Sequence, residues 1–145
     1  MCGRFFYRSD GTRYRDVDMP WPPNPFTSFN IAPGADVPIL RVNCSGEREW
    51  LRMRWGLIPH WSTGKRRDWR TAQARAETVR HKPAYRIPFK RYRCLIPASG
   101  FFEWVRTPNG RQPFLVHMAD RRTMMFAGLW DHWNGSDTFA GNDTR

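Results

Sequence analysis

A chain of 145 residues is about one domain's worth of sequence, long enough to build its own core. Its 24 Lys and Arg against 13 Asp and Glu leave a formal charge of +11, an excess that favours a polyanionic partner such as nucleic acid, because neutralised phosphates release counterions. No apolar run approaches the roughly 20 residues of a membrane span, no apolar signal core opens the chain, and three widely spaced cysteines without a Cys-x-x-Cys pair argue against a disulfide framework or a zinc site, so no metal, cofactor or membrane is expected and a reducing cytoplasm is.

The first residues, Met1-Cys2-Gly3-Arg4-Phe5, place a thiol directly behind the initiator methionine. Trimming of Met1 would leave Cys2 with a free α-amino group, whose ordinary pKa is roughly 7.7–8.0, beside a thiol near about 8.5. Such a pair can capture an aldehyde, the amine as an imine and the sulfur by closing a five-membered ring. The alternative is an early apolar residue entering a strand. Cys2 to Tyr7 reads as that strand, Arg8 to Asp18 as a polar loop, and Met19 to Phe26, with four prolines in eight residues, as a connector that can join neither helix nor sheet ladder. Phe29 to Gly34 reads as an Asn ahead of an Ala-Pro-Gly turn.

Val37 to Val42 and Trp50 to Leu57 alternate as strands, the second with Arg52 and Arg54 opposite Leu51 and Met53. Asn43-Cys44-Ser45-Gly46 supplies a hairpin turn between them. The loop Ser62 to Arg70, five of whose nine residues are charged, has Trp61 and Trp69 at its edges and could serve as a platform for single-stranded nucleic acid. Thr71 to Val79 reads as helix or extended chain. If it is extended, Gln73, Arg75 and Glu77 share one side. Pro83 and Pro88 allow at most one short helix, near Ala84 to Arg86. Cys94 to Gly100 leads tightly into Phe101-Phe102-Glu103-Trp104-Val105, where a carboxylate among aromatics costs free energy unless it is paired or titrates high, and a carboxyl group so tuned suits general acid-base chemistry. Gln112 to Met118 and Thr123 to Trp133 read as a hairpin turning at Ala119 to Arg122, with His117 a packed strand residue. The last twelve residues, 134–145, form a polar, glycine-rich tail.

Seven blocks, Met1-Cys2-Gly3-Arg4-Phe5, Phe29 to Gly34, Trp55 to Trp61, Ala74 to Thr78, Arg93 to Pro97, Gly100 to Trp104 and Phe126 to Trp130, together resemble the SOS response-associated peptidase (SRAP) family of abasic site processing proteins in order and spacing. The resemblance implies an α+β fold of mostly antiparallel strands in a barrel-like SRAP domain with few short helices, covering 1–133 and short at its C-terminus. It implies autocatalytic removal of Met1, followed by a thiazolidine DNA-protein crosslink between Cys2 and an abasic site in single-stranded DNA, in a monomeric, nucleoid-associated protein. Cys2 and Glu103 would be catalytic, and Arg4, Asn30, Pro33, Trp61, Gln73 and Arg75 would position the terminus and the DNA. Two departures follow from the same comparison. Gln73 stands where the family has Asn, and the later block that carries a catalytic histidine is absent, so none of His60, His81, His117 or His132 inherits that role. A non-catalytic remnant that binds single-stranded DNA is the alternative.

Overall fold

The computed structural model describes residues 3–9, 26–59, 61–62 and 71–133. The eight described strands, β1 (Arg4–Tyr7), β2 (Ser28–Ile31), β3 (Asp36–Val42), β4 (Arg48–Arg54), β5 (Arg93–Ala98), β6 (Gly100–Thr107), β7 (Gly110–Val116) and β8 (Met124–Leu129), are joined by one helix, α1 (Pro83–Arg91), between β4 and β5. They form two four-stranded antiparallel sheets, ordered β2-β1-β6-β7 and β4-β3-β5-β8, in place of the expected barrel-like closure. Period-two alternation explains the layering. Phe5 and Tyr7 of β1, Ile31 of β2, Val37 and Ile39 of β3, and Cys94 and Ala98 of β5 turn inward as one core cluster, with Leu51, Met53, Trp55, Phe101 and Phe126 packed against it.

The β3–β4 hairpin follows the sequence expectation. Asn43 Oδ1 accepts from the amides of Ser45 (3.0 Å) and Glu47 (2.9 Å), and Gly46 takes φ 82° to close the turn. From there the strands pair without interruption from Val42↔Arg48 to Asp36↔Arg54.

Two expectations fail and a third is met with wider bounds. The segments read as a hairpin around Ala119 to Arg122 lie in different sheets, β7 against β6 and β8 against β5. The chain crosses over between them, with Arg121 at φ 57°, because β8 has a better neighbour: Gly128 sits opposite Cys94, and an added Cβ there would lie 2.8 Å from both Cys94 Sγ and Ile96 Cδ1. The helix predicted near Ala84 to Arg86 runs the full nine residues of α1 and includes Pro88, which is buried. Pro83 occupies the helix start, where a missing N–H costs nothing, and Pro88 removes a single bond from a two-turn helix. Thr71 to Val79 is neither strand nor helix. Residues 76–81 are turns, with Thr78 and Val79 donating to the Arg75 carbonyl, so Gln73, Arg75 and Glu77 do not alternate along one extended segment. Residues 10–25, which hold all of the Met19 to Phe26 connector but Phe26, residues 63–70, which hold all of the Ser62 to Arg70 loop but Ser62, and the 134–145 tail lie outside the described residues.

Candidate functional site

The site begins at the pairing of β1 with β6, which sets Arg4 opposite Phe102, Phe5 opposite Phe101 and Phe6 opposite Gly100. Carried back one residue, the same register brings Gly3 opposite Glu103. Alternation puts Gly3 and Glu103 on the side of Phe5 and Phe101, and Arg4, Phe102 and Trp104 on the other. Glu103 is half-buried. Cys2, one bond before Gly3, lies outside the described residues.

On the outer side, β2 supplies the next groups by an irregularity in pairing. Phe5 faces Ile31 and Tyr7 faces Ser28, so Phe29 and Asn30 together stand against Phe6 alone. A bulge of this two-against-one kind re-aims side chains. Phe29 stacks on Phe6 with centroids 6.4 Å apart and planes at 14°, and Arg4 Nη1 donates to Asn30 Oδ1 at 2.7 Å. Arg4, Phe29, Asn30, Phe102 and Trp104 line a hollow of about 360 Å³. Phe29 is 64% and Trp104 41% exposed. Exposed rings beside a guanidinium are suited to stacking bases while a phosphate meets the cation. Sequence reasoning named Arg4 and Asn30 but missed Phe29, Phe102 and Trp104. The alternation of Phe-Phe-Glu-Trp, read as period two, already places Phe102 and Trp104 on one face.

A second group gathers around Trp55. Its ring meets Phe5 edge-on at 5.3 Å, and its backbone is fixed by Gly34 N–H to Trp55 O (2.7 Å) and Trp55 N–H to Ala35 O (2.8 Å), which seats Pro33 in the adjoining turn. Three consecutive residues are then tied down. Thr71 Oγ1 donates to Leu57 O at 2.5 Å, the Trp55 indole N–H donates to Ala72 O at 2.8 Å, and Tyr85 of α1 donates its hydroxyl to Gln73 O at 3.0 Å. This clamp fixes the chain from Thr71 to Gln73, which is half-buried, and Arg75, exposed, follows two residues on. Trp61 is 54% exposed, and the carbonyl of neighbouring Ser62 accepts from the Trp133 indole at 3.0 Å. Trp69, the other edge of the expected platform, lies outside the described residues, as does His60.

The structure thus brings Arg4 and Asn30 into contact and ties the turn at Pro33 and the chain up to Gln73 to Trp55 and Tyr85, with Arg75 two residues on, while Glu103 stands on the opposite face of the sheet from Arg4. Among the described residues no three His, Cys, Asp or Glu side chains gather as metal ligands, and no helix is long and apolar enough to cross a membrane.

Residues 1–143 match the family described as SOS response associated peptidase (SRAP). The chain belongs to the SRAP family. It is 34% identical over 139 residues to the abasic site processing protein YoqW of Bacillus subtilis (strain 168), covering 92% of this chain and 62% of that protein. It is 29% identical over 146 residues to the abasic site processing protein HMCES of Mus musculus, covering 83% and 40%. A crystal structure of a protein from Bordetella bronchiseptica superposes with TM-score 0.74 at 25% identity, covering 92% of this chain and 65% of that one. The SRAP chain therefore spans 62% of the length of one of these curated relatives and 40% of the other.

Proposed function

We propose that this SRAP chain captures abasic sites in single-stranded DNA through Cys2. The observation that carries the reading is the β1–β6 register, which sets Arg4 opposite Phe102 and, by one further step, Glu103 beside the residue bonded to Cys2. Family membership and the names of the relatives support it.

The chemistry proceeds in balanced steps. Water cleaves the Met1–Cys2 peptide bond, releasing methionine and a free α-amino group. That amine adds to the C1′ aldehyde of the ring-opened abasic sugar, and loss of water gives an imine. The Cys2 sulfur then bonds to the imine carbon as its S–H bond breaks, the C=N π pair moves to nitrogen, and nitrogen takes up the proton the thiol released as the thiazolidine closes. In this reading Glu103 receives the proton from the amine and returns it to the departing hydroxyl, the work of a general acid-base carboxylate. Arg4 and Asn30 hold the backbone phosphate near the terminus. Exposed Trp61, Phe29 and Trp104 offer faces for the flanking bases, and Pro33, Gln73 and Arg75 border the sugar. Gln73 keeps the amide of the family's Asn but carries it one methylene farther out, where misplacement of about 1 Å is costly in rate.

The test is incubation of the protein with an abasic single-stranded oligonucleotide, followed by denaturing electrophoresis. A denaturation-resistant adduct is expected, lost in Cys2→Ala, slowed in Glu103→Gln and accelerated in Gln73→Asn. No adduct, or one that persists in Cys2→Ala, overturns the reading. Salt-dependent binding of undamaged strands without any adduct replaces it with that of a single-stranded-DNA-binding protein.

A further inference from the structure

The outward face of the sheet that holds β1 carries more rings than capture of one abasic sugar uses. Alternation turns Phe6 to the same side as Arg4, and the β1–β6 and β6–β7 registers add Phe102 with Leu115, Trp104 with Pro113, and Arg106 with Arg111. The bulge in β2 adds Phe29 and Asn30. Four rings then stand in a row across three strands. Their centroids lie 6.4 Å apart from Phe29 to Phe6, 6.3 Å from Phe6 to Phe102 and 6.4 Å from Phe102 to Trp104.

Folding does not call for such a row on this side. The core lies under the opposite face, where Phe5, Tyr7 and Phe101 point, and α1 packs against β5 and β8 of the other sheet. Phe29, Trp104 and Leu115 are left 64%, 41% and 49% exposed. A contiguous exposed apolar strip marks a binding surface, and the charge around it selects the partner. Arg4 lies beside the row, held by the neutral amide of Asn30, and Arg106 and Arg111 stand at its far end on the hairpin, all three exposed. No Asp or Glu stands on this face of β1, β6 or β7, since Glu103 belongs to the other side. The ring spacing is about twice the 3.4 Å step of one strand in a duplex, the stride of a single strand drawn out until each base leaves its neighbours.

We infer that this face is a track for undamaged single-stranded DNA, with unpaired bases against the row Phe29, Phe6, Phe102 and Trp104 and backbone phosphates on Arg4 and the Arg106–Arg111 pair. The inference rests on the single-stranded-DNA reading of the site and extends it from the lesion to the intact strand beside it. Stacking accepts every base, so the track is blind to sequence, and it rejects a duplex, whose bases have no free face. It needs neither the Cys2 thiol nor the Glu103 carboxyl.

The experiment is fluorescence anisotropy of the full chain with a labelled 16-nucleotide oligothymidylate, alone and paired with oligoadenylate, with crosslinking to an abasic oligonucleotide run in parallel. The single strand should bind at least tenfold more tightly than the duplex. Phe29→Leu/Trp104→Leu keeps an apolar surface without the two exposed rings and should lose at least tenfold for the single strand. Arg106→Gln/Arg111→Gln should lower the slope of log affinity against log salt by about 1.4, two phosphates at about 0.7 each. Arg48→Gln/Arg93→Gln removes the same charge from the other sheet and should stay within twofold of the parent with its slope unchanged. Circular dichroism melts report the fold of each variant, and the arginine arm decides alone where the ring variant melts early. Equal binding of strand and duplex, unchanged binding in a folded ring variant, or equal losses in the two arginine variants overturns the inference. So does a parent dimer that sediments as a monomer in the ring variant, because the face would then join two copies. Ring-dependent binding without an adduct supports the track and overturns capture at Cys2, whereas an adduct formed without ring-dependent binding does the reverse.

Discussion

Replacing Trp55 by Phe separates the two roles of this residue, packing and clamping. The aromatic ring that meets Phe5 at 5.3 Å is largely retained, whereas the donor to Ala72 O is removed. A neutral hydrogen bond contributes about 0.5–1.5 kcal/mol net, and a partly buried carbonyl left without its partner adds to the loss, so Trp55→Phe should destabilise by about 1–2 kcal/mol. For a domain of this length that lowers the thermal midpoint by about 4 °C. Adduct formation is the more sensitive readout. Ala72 is the middle member of three consecutive tied residues, and freeing it lets the adjoining Gln73 and Arg75 drift by the fraction of an ångström to an ångström that costs up to about a hundredfold in rate. Tyr85→Phe removes the next tie and should have a similar, smaller effect. Because both bonds hold one segment, the double variant should lose less than the sum of the singles. Calorimetric melts and single-turnover crosslinking to abasic single strands measure both quantities. A Trp55→Phe protein that melts and reacts like the parent would refute the clamp and with it the positioning assigned to Gln73 and Arg75.

Gly100→Ala should cost about 1–3 kcal/mol in denaturant melts, because its Cβ would meet Phe6 Cε1 at 2.6 Å and the backbone oxygen of Val116 at 2.7 Å, and a main-chain oxygen cannot swing aside. Gly46→Ala meets no atom within 4 Å, so its smaller cost, about 1 kcal/mol, should come from φ 82° alone. Cys94 predicts an alkaline weakness. Its folded thiol is pushed up to about 12 from an ordinary value of 9.0, so between these pH values the unfolded chain releases a proton that the folded one keeps. Stability then falls as pH rises through that window, by up to roughly 1.4 kcal/mol per unit from this group, and Cys94→Ala should flatten the decline in urea melts. At pH 8 iodoacetamide should alkylate exposed Cys44 and spare buried Cys94, as mass spectrometry of peptides would report.

The features legible in the sequence are those fixed by near neighbours. Leu51 and Met53 turn into the core and Arg52 outward because alternation along one strand decides it, and Asn43 to Gly46 turns because Asn43 bonds its own following amides. The features that were missed depend on what lies across the sheet. Nothing within Gln112 to Trp133 says that β8 prefers β5 to β7. That choice rests on Gly128 leaving room for Cys94 and Ile96, residues more than thirty positions earlier. The outward turn of both Phe29 and Asn30 needs the extra residue that β2 places against Phe6, and an alternating pattern read along β2 alone would send one of them inward. Pro88 reads as a helix breaker locally, yet burying it in α1 offsets the single bond it removes.

β1 is the strand on which these pieces depend, since its register against β6 decides which residue faces the amino terminus. A slip of one residue would set Trp104 in place of Glu103 opposite Gly3 and turn Phe5 and Tyr7 out of the core. Several contacts forbid it. Phe5 meets both Trp55 and Phe126 edge-on, at 5.3 and 5.6 Å; Tyr7 is wholly buried; and Phe6 lies over Gly100, the one position of β6 without a Cβ to displace its ring. The aromatic residues that make the core are therefore also the ones that aim the carboxylate. Arg4 is turned to the opposite face by the same alternation, where the bulge in β2 has brought Asn30 to meet it. A strand of four residues thus separates a face suited to proton transfer from one suited to gripping a polyanion, and both would be lost together if the core were repacked by a single step.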